Sequence, residues 1–165
     1  MSVRIDFVQG SKLWRGALSA RALAREAIAA ALAESGAKLR RGAEVSVHLV
    51  DDAAIRAVNA EWRKKDAPTN VLSFPAVPPA QLPEARLVGD ILVAFETVRR
   101  EAEDEAKSLP DHFRHLVIHG FLHLLGYDHV EPEEAEAMET LERRALARLG
   151  VADPYAEREL EAAVK

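Results

Sequence analysis

Residues 88–129 read VGDILVAFETVRREAEDEAKSLPDHFRHLVIHGFLHLLGYDH, and the fold turns on this stretch. Val88 to Phe95 is dense in apolar side chains, as a buried strand requires. Helical spacing then takes over. Helices are expected over about 96–107, 109–125 and 132–149. Working outward, Val3 to Val8 (VRIDFV) and Glu44 to Val50 (EVSVHLV) alternate apolar and polar residues and read as strands. VLSF before Pro75 reads as a fourth. Ser19 is placed to cap a helix running to about Glu34, with Gly36 as its stop. Asp51 and Asp52 open a short helix from Ala53 to about Trp62. Residues 75–87 hold four prolines and form a surface excursion. Strands with helices mostly segregated after them indicate an α+β fold, a small mixed four-stranded sheet packed with about five helices.

The chain has 165 residues, the size of one domain. The domain is expected over 1–152, with 153–165 a short C-terminal extension, helical from Asp153-Pro154 or disordered. There is no cysteine, which excludes disulfides, thiolate nucleophiles, iron–sulfur clusters and Cys-type zinc sites. No apolar run has the roughly 20 residues of a membrane span. The N-terminus lacks the apolar core of a signal peptide, so a cytoplasmic location is expected. The net charge of −5 is uneven: residues 1–90 carry 13 Lys+Arg against 10 Asp+Glu, whereas 91–165 carry 9 against 17. The total argues against a generic nucleic-acid binder but leaves room for a basic surface in the first half.

Five of the six histidines lie between 112 and 129. His119 and His123, four apart on a helix, share one face and can chelate one ion. Ser108 and Asp111 have the spacing of a capping box at that helix's start. Gly126 sits where a glycine reverses the chain after a helix, returning His129 toward the same ion. Three imidazoles leave a coordination position open, as in catalytic zinc sites. His112 and His115 read as surface or supporting residues, and His48 as structural. The spacing is that of metzincin zinc proteases, but their general base directly follows the first histidine, and here that position is Gly120. Asp128 and Glu131 are nearby, neither at the required place; Asp128 is read as an acceptor orienting a histidine ligand, or as a turn residue.

A second motif precedes the third strand: Trp62-Arg63-Lys64-Lys65-Asp66, then APTNVLSFP. Three adjacent cations are either a solvated loop or a phosphate-binding surface, Arg63 offering a bidentate fork and the lysines mobile charges. Ser73 and Thr69 are possible hydrogen-bond donors there.

NAEWRKKDAPTNVLSFP at 59–75, GDI at 89–91 and HGFLHLLGYDH at 119–129, in that order and spacing, closely resemble the YbeY family of bacterial rRNA maturation factors. Trp62 stands where the family often has Tyr, and Asn70 where Asp is frequent. The resemblance implies one zinc ion held by His119, His123 and His129, a catalytic Arg63, and an α+β fold. It implies a single-strand-specific endoribonuclease that matures the 16S rRNA 3′ end and serves ribosome quality control. The implied partners are rRNA of the 30S subunit, small-subunit ribosomal proteins and the GTPase Era. Lys64, Lys65 and Ser73 would then contact RNA. The competing readings are a metal-dependent hydrolase of another bond, peptide above all, a non-catalytic assembly factor with structural zinc, and histidines that bind no metal.

Overall fold

The computed structural model describes residues 3–156. Four strands form one mixed sheet: β1 (Arg4–Gln9), β2 (Glu44–Val50), β3 (Val71–Pro75) and β4 (Leu87–Ala94). Their order is β1-β2-β4-β3, with β1, β2 and β4 parallel and β3 antiparallel to β4. Five α-helices accompany them: α1 (Ala20–Ser35), α2 (Asp52–Arg63), α3 (Phe95–Asp104), α4 (Leu109–Leu124) and α5 (Pro132–Arg148). The α+β expectation holds, with one refinement. Helix α1 crosses between the parallel strands β1 and β2, so the first third of the chain is a βαβ unit. The expected terminal helix lies almost wholly outside the described residues; only a turn is described, in which Asp153 accepts from Tyr155 N at 2.8 Å.

The two faces of the sheet are covered unequally. Val45, Val47 and Leu49 of β2 alternate onto one face, where they join α1, α4 and α5 in the main core with Ile28, Phe113 and Phe121. Trp14, which no periodicity singled out, is only 2% exposed. It stacks edge-on against Phe95 and Phe113, and its indole donates to Val50 O at 2.9 Å. On the opposite face a smaller cluster of Val50, Ile55, Leu72, Leu92 and Ala94 is covered by α2. The β1–β2 half of that face carries Asp6, Ser46 and His48.

The helix starts show which local signals operate. Asp51 accepts from Ala54 N at 2.8 Å and caps α2. Asp52 and Glu96 then cap each other's helices: Asp52 N donates to Glu96 Oε1 (2.8 Å), and Thr97 N to Asp52 Oδ1 (3.1 Å). Ser19 occupies the N-cap of α1, but its side chain makes no capping hydrogen bond.

Candidate metal centre

Helix α4 carries two of the histidines, and both of its ends are built locally. Ser108 accepts from Asp111 N at 3.2 Å and starts the helix. The expected reciprocal capping box is half formed, because the Asp111 carboxylate accepts from Arg114 instead (2.9 Å). At the other end Tyr127 N donates to Leu122 O (3.1 Å) and Gly126 N to His123 O (3.0 Å), a Schellman reversal. Gly126 sits at φ +104°, and a Cβ there would lie 2.6 Å from Pro79 Cγ. The reversal brings His129 back to the helix, so that one nitrogen from each of His119, His123 and His129 lies within 4.8 Å of the others.

The hydrogen bonds behind these rings fix their tautomers. His119 Nδ1 lies 3.0 Å from Glu142 Oε1, and His123 Nδ1 lies 2.9 Å from Tyr127 O. An ionised carboxylate and a carbonyl only accept, so both Nδ1 atoms carry the proton. In the neutral form of the two rings both Nε2 atoms then present lone pairs, and they face each other at 3.1 Å. Two acceptors so close repel one another unless a cation lies between them. Nitrogens about 2.0–2.1 Å from a tetrahedral zinc are roughly 3.3–3.4 Å apart, so this donor set fits a divalent transition ion. Burial first, then the neighbouring His119 and His129, push the His123 imidazole below its ordinary pKa, favouring the neutral, metal-binding form.

Glu142, on α5, is the residue that sequence reasoning missed. It is 1% exposed. Burial alone would raise its carboxyl, but hydrogen bonds from His115 and His119 outweigh this and hold it at about 2. His115 Nε2 meets Oε1 at 2.9 Å, and the Tyr155 hydroxyl donates to Oε2 at 3.0 Å. A signal was present: Glu142 lies in the buried stripe of Met138, Ala145 and Leu146, an acid at a core position of an amphipathic helix. His115 thus supports the site through Glu142. His112, buried at 4% exposure, meets Glu101 Oε1 at 2.9 Å, and Glu101 also accepts from Asn70 Nδ2 at 3.0 Å. His48 bonds Asp90 at 2.9 Å on the other face of the sheet. Asp128 accepts from the His129 backbone N–H at 2.7 Å, while its Oδ1 stays 3.9 Å from His129 Nδ1; the acceptors that orient rings are Glu142 and Tyr127 O.

The three histidines open onto a cleft of about 770 Å³ whose walls include Arg63, Thr69, Ser73 and Asp128. Arg63 ends α2 exposed, with no hydrogen bond or ion pair among the described residues. Lys64, in the left-handed conformation at φ 60°, and Lys65 are exposed on the following loop and do not line the cleft. That loop is pinned by Arg56 on Asp66 (2.7 Å) and by Asn59 Nδ2 on Ala67 O (2.8 Å). The Ser73 hydroxyl donates to Gly120 O at 2.9 Å, tying β3 to α4. Gly120 rests directly on the sheet: a Cβ there would lie 3.0 Å from Ile91 Cγ2 and 3.1 Å from Ser73 Oγ. The position that holds the base in metzincin proteases is therefore packed against the sheet, with no room for a glutamate side chain.

The sequence profile of a family described as Endoribonuclease YbeY matches residues 12–150. Among curated proteins, the Endoribonuclease YbeY of Rhodopseudomonas palustris (strain BisA53) is 54% identical over 149 residues, covering 88% of this chain and 86% of its own length. That of Methylocella silvestris is 47% identical, covering 93% and 86%. The solution structure of TM1509 from Thermotoga maritima superposes with a TM-score of 0.55 at 25% identity, over 93% of this chain and 98% of that one.

Proposed function

The chain belongs to the Endoribonuclease YbeY family, and from that premise we propose that it is a metal-dependent endoribonuclease whose ion, one zinc per chain, is held by His119, His123 and His129. The observation that carries the metal is the pair of Nε2 atoms at 3.1 Å, each ring held from behind at Nδ1 by an acceptor. Bound there, zinc supplies Lewis acidity toward a phosphoryl oxygen and a nucleophile at neutral pH. The chain's own residues do the rest. Glu142 and Tyr127 O keep the two imidazoles in the metal-binding tautomer. Arg63, in the same cleft, stabilises charge on the scissile phosphate through its planar fork. Lys64 and Lys65, outside the cleft lining, hold flanking phosphates, and Ser73 lies in the cleft wall beside the RNA. The catalytic domain is residues 1–152. The substrate is single-stranded RNA, the 3′ end of 16S rRNA above all, with small-subunit ribosomal proteins and the GTPase Era as partners in the cytoplasm. A peptidase reading lacks a base, since Gly120 is packed on the sheet. A non-catalytic factor with structural zinc would need a fourth protein ligand, and the convergent group among the described residues has three.

The test is metal content and RNA cleavage measured on one preparation. We expect close to one zinc per chain, and cleavage of single-stranded RNA that is lost with a chelator and restored by zinc. Cleavage that persists in fully metal-free protein would overturn the reading.

A further inference from the structure

Four arginines gather at the end of the sheet where its three parallel strands begin. Arg4, Arg40, Arg41 and Arg86 line a second cavity of about 410 Å³, with Glu44 as its one carboxylate. The chain as a whole carries a net charge of −5, yet none of the four makes an ion pair among the described residues. All four are exposed.

Backbone bonds set their spacing. Ala43 N donates to Arg40 O at 3.0 Å, and Gly42 sits at φ +77°, so Arg40 and Arg41 share one tight turn. Arg4 N donates to Ala43 O (2.8 Å) on one side of that turn, and Glu44 N to Arg86 O (2.8 Å) on the other. Like charges held together by a rigid frame repel one another. Four such cations around one carboxylate, none in an ion pair among the described residues, are stabilised by an anion, and guanidinium forks suit phosphate.

We propose that this pocket is a second phosphate-binding site, which holds the backbone of single-stranded RNA remote from the metal centre. Its position supports a continuous track. Arg86 directly precedes β4, whose neighbour β3 ends at Pro75, and Ala76 N donates to Val88 O at 3.0 Å. Pro75 and Pro79 line the end of the metal cleft. From β1 to β3 is three strand spacings, on the order of 14 Å, so a strand of a few nucleotides spans the distance. The proposal rests on the endoribonuclease reading for its substrate, but it predicts binding, which is measured separately from cleavage.

The experiment is equilibrium binding of labelled single-stranded RNA, a 20-mer and a tetranucleotide, to zinc-loaded protein across a salt series. The protein is compared with a variant carrying Arg4→Ala, Arg40→Ala, Arg41→Ala and Arg86→Ala, and with the corresponding four-lysine variant. The advantage of the 20-mer over the tetranucleotide should shrink by at least about tenfold in the alanine variant. The slope of log affinity against log salt should fall by roughly 2–3, since each phosphate contact on a single strand contributes about 0.7. The lysine variant should keep most of the slope and lose part of the affinity. Unchanged 20-mer affinity and slope in the alanine variant, with thermal unfolding as in the parent, would overturn the proposal. So would equal competition by polyglutamate of the same charge, which would assign the pocket to acidic protein. If wild-type protein binds in this arginine-dependent manner but cleaves no RNA, the catalytic reading fails and the binding site stands.

Discussion

Glu142 makes the imidazole pair directional. Its carboxylate accepts from His119 Nδ1, so the neutral ring turns Nε2 toward the metal position. Glu142→Gln offers that ring an amide in place of a carboxylate, and zinc affinity should fall about 10–100-fold, as when other metal sites lose the acceptor behind a ligand; competition with a chromophoric chelator measures it. Unaltered affinity would mean that the tautomer is set by something other than Glu142. Arg63 works differently, for it never deprotonates near neutral pH and is no metal ligand. Arg63→Ala should keep zinc content, and stability within about 0.5 kcal/mol, because the side chain is exposed and unbonded. Cleavage should fall about 10²–10³-fold, the effect of removing one preorganised donor from a developing oxyanion. Parallel measurement of zinc content and cleavage rate separates this from loss of the metal site. The histidine triad was legible in the sequence because its spacing over 119–129 is a local matter of helix and turn. Glu142 was marked only by its place in the apolar stripe of Met138, Ala145 and Leu146; that it meets His115 and His119 is decided by the packing of α5 on α4.

Helix α4 is fitted to the site at two glycines. At Gly120 the helix touches the sheet so closely that a methyl group would meet Ile91 Cγ2 and Ser73 Oγ at 3.0 and 3.1 Å. Gly120→Ala should destabilise the fold by about 1–3 kcal/mol through overpacking, read from urea unfolding, and should weaken zinc binding as the adjacent His119 shifts. At Gly126 the left-handed backbone and Pro79 both oppose a side chain. Gly126→Ala should destabilise by at least about 1–2 kcal/mol, the strain of that conformation for an L-residue. It should also lower zinc affinity, because the reversal is what returns His129; isothermal titration of zinc into both variants reports this. Wild-type zinc affinity in Gly126→Ala would mean that His129 reaches the ion without the turn. Gly126 as a reversal could be read from the sequence, since a glycine after a helical pattern has a conformational reason to be there. The packing of Gly120 could not, because it depends on β3 and β4 lying beneath the helix.

Taken whole, the molecule joins α4 and α5 through the site: His119 and His115 on one helix meet Glu142 on the other. Zinc bound only by the folded chain should therefore stabilise all of it, by about 2.7 kcal/mol at a hundredfold excess over its dissociation constant. For a chain of this size that corresponds to a rise in Tm of about 5–11 °C, and calorimetry with and without a chelator measures it. A Tm indifferent to zinc would count against the site. The sequence by itself determined what local periodicity and spacing can express: the strand at Glu44–Val50, the strand expected over Val88–Phe95 to within a residue at each end, the helices after them, and three histidines on one helix and the turn beyond it. Those features rest on φ/ψ preference and side-chain direction within a few residues. The tertiary structure decided the rest. It inserted β4 between β2 and β3, made α1 a crossover, buried Trp14 and Glu142, set Arg63 in the same cleft as the histidines, and drew Arg4, Arg40, Arg41 and Arg86 around one cavity. Each of these joins residues far apart in the chain, and it is the shared burial of the sheet and its helices, not any local preference, that brings such residues together.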